Sequence, residues 1–378
     1  MKCIDSLSEK DLKGKRVLLR TSLDLPLNKQ GEASDEFRLK RSFPTIEFLL
    51  KAMARVILIC KIGRDPADST APVAVAMKKY LPVFFVPDLT GKVAHGAAAA
   101  MKDGDLVMLE NTQQDPREIA GDDTFARELA SLADLYVNDA FLSTHRTSTT
   151  MVNVAKFLPS YAGLLMRDEV QNISSARNPQ SPSFAILGGA KFETKAPFIK
   201  ILLERYDHLF ITGALANDVF KAQGYETGVS LISKELPTPE ILNHPHFVAP
   251  IDVTVERPDK QARVKKPNEV LPDEKIVDIG PDSIAHIAPF ITQSKYILWN
   301  GPTGIYEAGY VSYTHAIADL VGKAVDGGAM CVIGGGDTIA AIQESGVSEA
   351  RLGFLSTGGG AMLEYLLKGT LPGIEALK

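Results

Sequence analysis

Short, unbroken apolar runs recur along this chain, and longer segments with helical periodicity separate them. RVLLR (16–20), VILIC (56–60), VFFV (83–86), LVMLE (106–110) and LYVN (135–138) form one series. FAIL (184–187), HLFIT (208–212), KYILW (295–299) and MCVIG (330–334) form a second. The runs are continuous rather than alternating, as expected of strands covered on both faces. Segments such as DTFARELASLADL (123–135) and APFIKILLERYD (196–207) carry the spacing of amphipathic helices. Strand and helix in alternation predict α/β architecture, with parallel sheets and helices on both faces. Two series within 378 residues predict two doubly wound domains. The boundary is placed near Pro159, where AKFLPSYAGLLMRDEVQNI starts a bridging helix, and SARNPQSPS (175–183) is read as a loop.

A formal net charge of -5 argues against a nucleic-acid partner, for which a basic surplus is expected. No apolar run approaches the roughly 18 residues of a membrane span, so no membrane partner is expected. Cys3, Cys60 and Cys331 are widely spaced and odd in number. That pattern argues against a disulfide framework or a zinc site and fits a reducing, cytoplasmic setting. The opening MKCIDSLSEKDLKGKR shows no apolar secretory region.

In a parallel α/β sheet, ligands bind beyond the carboxyl ends of the strands. Four strand ends in the second series carry suitable chemistry. In FAILGGAKFETK (184–195) the apolar run breaks on Gly188 and Gly189. Lys191 and Lys195 follow, four positions apart and on one face if the segment is helical. Pro197 is expected in an early helix turn. VIGGGDTIAAI (332–342) ends in three glycines before Asp337 and Thr338 open a helix, a junction whose free N–H groups and dipole attract phosphate. Asp337 either caps that helix or holds a phosphate-bound Mg²⁺. LWNGPTGIYE (298–307) supplies Asn300 and Glu307, and STGGGAMLE (356–364) is a further glycine-rich turn. Singly, each is an ordinary tight turn. Together, with two lysines and an acid, they point to a nucleotide-phosphate site, although the standard P-loop and dinucleotide fingerprints are absent.

GGAKFETK, LWNGPTGIYE, GGGDT and STGGGA, in this order and spacing, resemble the phosphoglycerate kinase family. So do KRVLLR, LENT, ASLADLYVNDAF (130–141), KFLPSYAGLLM (156–166) and the ending LPGIEALK. The resemblance covers essentially the whole chain. It implies two Rossmann-like domains joined by a helical hinge. One is an acid-substrate domain, 1–158, to which a tail, 362–378, returns; the other is a nucleotide-binding domain, 159–361. It implies Mg-ATP or Mg-ADP, a small carboxylic acid, an acyl-phosphate product and a monomer. By the same resemblance Gly188, Gly189, Lys191, Gly213, Asn300, Glu307, Gly336, Asp337 and Thr338 hold the nucleotide, Asp337 through Mg²⁺. Lys195 and Arg38 serve the chemistry, Lys195 at the transferring group and Arg38 at the reacting carboxylate. ITGALAN (211–217) departs by having fewer glycines beside the base.

The first half departs further. The family's D-F-N-V-P stands here as SLDLP, with Ser22 and Asp24 replacing an Asp and an Asn. Lys61 takes a His position, Gln113 an Arg position and Ser148 a second His position, while Arg38, Arg64 and Arg146 match. Ser22, Asp24, Arg38, Lys61, Arg64, Gln113 and Arg146 are therefore expected to form the acid site, with Arg117 the nearest arginine to stand in for the one missing at Gln113. Five departures in one pocket favour a carboxylate kinase acting on an acid other than 3-phosphoglycerate. The alternatives are an ordinary phosphoglycerate kinase with a remodelled pocket and a non-catalytic nucleotide-binding paralogue. Intact Lys195 and Asp337 weigh against the last.

Overall fold

The apolar runs of the first series form the strands β1 (Arg16–Arg20), β2 (Arg55–Ile59), β3 (Val83–Val86), β4 (Leu106–Leu109) and β5 (Leu135–Asn138), joined by a short β6 (Ser160–Ala162). The computed structural model orders them β3-β4-β2-β1-β5-β6, all parallel, and describes residues 1–378 except 29, 34, 35 and 64 and the side chain of Glu36. Central residues such as Val17, Leu19, Val56, Leu58 and Val137 are fully buried. This explains why these strands read as continuous apolar runs: neither face meets water. The sheet belongs to one unit, residues 1–171 together with 370–378. The returning segment carries the helix Pro372–Glu375, whose Gly373 amide donates to Thr144 O at 2.9 Å.

The second unit, residues 172–369, contains the second series. It is built on β7 (Ser183–Leu187), β8 (His208–Ile211), β9 (Phe247–Val248), β10 (Val253–Glu256), β11 (Ala262–Lys265), β12 (Lys275–Ile279), β13 (Tyr296–Asn300), β14 (Met330–Gly334) and β15 (Phe354–Leu355). Six of these make a parallel sheet ordered β15-β14-β13-β7-β8-β9. The other three make an antiparallel sheet, β11-β10-β12, that the sequence reading did not anticipate. Its strands are short, and β11 is largely exposed, so it leaves no apolar run. The available signal was local: VTVE and ARVK flank a turn in which Arg257 N donates to Gln261 O at 3.0 Å.

The contact boundary between the units lies within the helix Leu164–Ala176, after Gln171. Chain just beyond Pro159 stays with the first unit because β6 pairs with β5. The first turn of that helix is held there too, since the buried Asp139 carboxylate accepts the Met166 amide at 2.9 Å. In the tail, the helix Gly359–Lys368 belongs to the second unit, and residues 370–378 belong to the first. No helix among the described residues is long and apolar enough to cross a membrane.

Candidate functional site

In the second unit four strand ends converge on one edge of the parallel sheet. β7 lies between β13 and β8, and β14 follows β13, so Gly188–Gly189, Gly213, Gly301 and Gly335–Gly336 become neighbours. The packing leaves no room for side chains. A Cβ on Gly301, at φ 106°, would lie 2.5 Å from the Gly188 carbonyl carbon, and one on Gly188 would lie 2.6 Å from Pro302 O. Glycine is required here by close backbone approach as well as by backbone angle.

Hydrogen bonds lock this arrangement. Gly188 N donates to Asn300 O at 2.7 Å. The fully buried Trp299 donates through Nε1 to Gly301 O at 2.8 Å, and Gly301 N donates to Thr338 Oγ1 at 2.7 Å. Thr338 is itself fully buried, so its oxygen organises the Asn300–Gly301 turn from beneath. Asn300 Nδ2 is a buried donor with no partner among the described residues, and a Cβ on Gly335 would lie 3.5 Å from it. Burying such a donor costs free energy unless an acceptor arrives.

Beside these strand ends lies a cavity of about 380 Å³, and of the expected nucleotide residues Gly189, Gly213, Glu307 and Asp337 line it. Gly335, not Asp337, occupies the cap position of the helix Gly336–Gln343. The Asp337 carboxylate is exposed and accepts from Tyr306 Oη at 3.3 Å, which removes the capping interpretation. Burial, then the nearby Asp337 charge, push the Tyr306 hydroxyl up to about 12. No cluster of three or more His, Cys, Asp or Glu suited to a metal occurs among the described residues. A lone exposed carboxylate at a helix start fits the sparse protein ligation of a Mg²⁺ shared with nucleotide phosphates.

The two lysines are placed differently from the expectation. Lys191 does not share a helix face with Lys195. It precedes the helix Phe192–Arg205 as its cap residue, in the left-handed region at φ 66°. That conformation costs a non-glycine residue about 1–2 kcal/mol. The turn is held by Ser233, whose Oγ accepts the Phe192 amide at 2.8 Å and donates to Asp218 Oδ2 at 2.7 Å. Lys195 lies one turn into the helix, over the Phe198 ring at 5.9 Å, and burial lowers its pKa from the ordinary lysine value. Pro197 sits deeper than an early turn, inside the helix. The cavity also recruits Asp278 and Lys275 from β12, which the sequence reading missed along with the antiparallel sheet. Burial raises the Asp278 carboxyl to about 7, against the hydrogen bond from Thr303.

In the first unit the ends of β1, β2 and β4 present Ser22, Asp24, Lys61 and Gln113 on one edge of the sheet. Lys61, Gln113, Arg146 and Ser148 line a cavity of about 360 Å³. Lys61 Nζ pairs with Asp24 Oδ2 at 2.5 Å, and Asp24 Oδ1 accepts the Gly63 amide at 2.9 Å. Arg38 reaches the Asp24 backbone, donating to its carbonyl at 2.9 Å. Ser22 Oγ and Gln113 Oε1 are buried with no partner among the described residues. Arg146 is exposed, and Arg64 lies outside the described residues. Arg117 does not stand in for the missing arginine: Asp115 at 2.7 Å and Glu128 at 2.9 Å hold its guanidinium. The sequence reading missed Arg20 and Glu118, which also line this cavity. Arg20 is almost fully buried and donates to Thr150 Oγ1 at 3.1 Å. A charge closing the apolar run RVLLR was the available signal.

Two parallel α/β units, one of them with a glycine-walled cradle beside an exposed acid and a half-buried lysine, define a nucleotide-binding protein of the two-domain kinase class. The family model described as phosphoglycerate kinase matches residues 7–369, and the chain belongs to the phosphoglycerate kinase family. It is 39% identical to the phosphoglycerate kinase of Synechococcus sp. (strain JA-3-3Ab), over 97% of this chain and 96% of that relative. It is 38% identical to that of Aquifex aeolicus (strain VF5), over 97% of this chain and 96% of the relative. Among solved structures, phosphoglycerate kinase from Coxiella burnetii matches with a TM-score of 0.81 at 32% identity, covering 99% of this chain and 98% of that one. The Pyrococcus horikoshii OT3 enzyme matches with a TM-score of 0.87 at 27% identity, covering 100% and 98%. Members of the family use Mg-ATP or Mg-ADP.

Proposed function

We propose that this protein is a phosphoglycerate kinase, moving the terminal phosphoryl group of ATP to and from the carboxylate of 3-phosphoglycerate. The observation that carries this reading is the family match across nearly the entire chain, together with 39% identity to the Synechococcus phosphoglycerate kinase. In the acid-phosphorylating direction, a carboxylate oxygen attacks the γ-phosphorus as its bond to the β-phosphate bridging oxygen breaks. ADP leaves with that oxygen's electron pair, and an acyl phosphate remains. Such transfers are loose, with charge spread over the equatorial oxygens, so catalysis rests on positioning and charge stabilisation. Lys195 supplies a cation for that charge and Arg38 one for the reacting carboxylate. The Gly188–Gly189 and Gly335–Gly336 turns hold phosphates, Lys191 adds charge there, and Glu307 takes the ribose. Asp337 would hold Mg²⁺, which neutralises phosphate charge when bound.

The relatives favour 3-phosphoglycerate over the different acid that the pocket departures first suggested. A second reading, a carboxylate kinase with another acid, keeps support from the Asp24–Lys61 ion pair and the uncharged Gln113. Steady-state assays with ATP and 3-phosphoglycerate beside a panel of small carboxylic acids separate the two. Turnover of 3-phosphoglycerate with the best kcat/KM of the panel is expected. A better acid lacking a phosphate would replace the first reading with the second, and ATP binding without turnover of any acid would remove both.

A further inference from the structure

The cavity of the first unit is lined by Lys61, yet the charge of Lys61 is already engaged. Its ammonium lies 2.5 Å from Asp24 Oδ2, with the two side chains only 13% and 28% exposed, and it also donates to Gly63 O at 3.2 Å. Asp24 is held in turn by the Gly63 amide on Oδ1, so the carboxylate is aimed rather than free to swing away. Arg20, the other buried cation on this cavity, is committed to Thr150 and to the Thr21 carbonyl, and Glu118 beside it accepts from Thr150 Oγ1 at 2.6 Å. Among the described residues the exposed Arg146 is then the cavity cation whose guanidinium is committed neither to a carboxylate nor to a buried hydrogen bond. Gln113 lines the cavity with an uncharged amide and so adds no cation to it.

We propose that Asp24 is a specificity-determining residue that acts as a built-in competitor for the acid substrate. Its carboxylate occupies the Lys61 ammonium, so an incoming anionic tail must displace Asp24 or bind without Lys61. The pocket thereby grips a doubly charged phosphate tail weakly and discriminates less strongly against a singly charged or neutral one. A half-buried pair interacts more strongly than an exposed one, and a rival anion must overcome that attraction before gaining its own. The assignment of this cavity to the acid rests on the proposed function.

The test uses the full chain and 3-phosphoglycerate, with binding followed by calorimetry and turnover by steady-state kinetics. Asp24→Asn preserves an acceptor for the Gly63 amide and removes the rival charge. It is expected to tighten 3-phosphoglycerate binding on the order of tenfold, the scale of one charge-assisted contact, and to lower KM in parallel. The dependence of Kd on salt should steepen, which a structural role for Asp24 would not produce. Lys61→Met is expected to weaken 3-phosphoglycerate binding, because it bares the Asp24 carboxylate, and to abolish the gain when combined with Asp24→Asn. Weaker or unchanged binding by Asp24→Asn overturns the proposal, as does a gain that survives Lys61→Met or the absence of binding in every variant. Tighter binding through Lys61 without turnover by any variant would uphold the competitor and sink the kinase reading, so the two failures are distinguishable.

Discussion

The Thr338 hydroxyl accepts the Gly301 amide at 2.7 Å, tying the helix that follows β14 to the turn that follows β13. Both residues are buried, and Thr338 Oγ1 is the acceptor that satisfies this backbone donor. Thr338 thus shapes the Asn300–Gly301 turn from below.

Thr338→Val keeps the shape and leaves the Gly301 N–H without its acceptor. An unsatisfied buried donor costs about 1–3 kcal/mol, so denaturant unfolding should show a loss of that size. Calorimetry should show weaker ADP binding as well. Thr338→Ser, which retains the hydroxyl, should recover most of both.

Lys195→Ala should cut kcat by roughly 10²–10³-fold, the usual cost of losing one donor to developing charge, and should change ADP affinity little. Burial lowers the Lys195 pKa, so its charged form is lost at a lower pH than in an ordinary lysine. Activity should accordingly fall on the alkaline side, and Lys195→Arg should move that limb upward if any activity remains. A pH–kcat profile of the three proteins checks this.

Asp337→Asn should weaken Mg-ADP binding by about tenfold while leaving metal-free ADP binding nearly intact. Titrations with and without Mg²⁺ measure the difference. An unchanged Mg²⁺ dependence would leave the Tyr306 contact as the carboxylate's only role.

Asp278 carries a prediction about pH. Its folded carboxyl is raised to about 7 from an ordinary 3.8, so between those values the folded chain holds a proton that the unfolded chain has released. Stability should therefore fall as pH rises from about 4 to 7 and level off above, by roughly 2–4 kcal/mol. Asp139, raised to about 6 by burial, contributes with the same sign over a shorter window. Asp278→Asn should flatten only its own part. Denaturation midpoints at pH 5 and pH 8 should differ less in the variant than in the wild type.

Much of this molecule was legible in one dimension. Among the described residues, nine of the twelve strands of the two parallel sheets stand where continuous apolar runs predict them, because burial on two faces is written into composition as well as position; the short edge strands β6, β9 and β15 left no such run. The glycine turns were legible for a related reason, since close backbone approach leaves few other residues possible. The antiparallel sheet was not legible as a sheet. β11 presents Ala262, Arg263 and Val264 to solvent, and such strands owe their register to partners far along the chain. Asp278 went unrecognised with it, because a single acid inside KIVDI carries no mark of the cavity it meets.

The sequence by itself determined two parallel α/β units, the family, and which residue types crowd the strand ends. Tertiary structure alone decided how those residues are used. Lys191 and Lys195, four apart, parted company because the helix starts between them. Asp24 and Lys61, 37 positions apart, became one ion pair. Arg117 was drawn off by Asp115 and Glu128 instead of entering the cavity. Periodicity reports which side of an element is buried, a property of neighbours along the chain. Charge pairing depends on separations of a few ångströms across strands, and those distances exist only once the sheet has set its order and register.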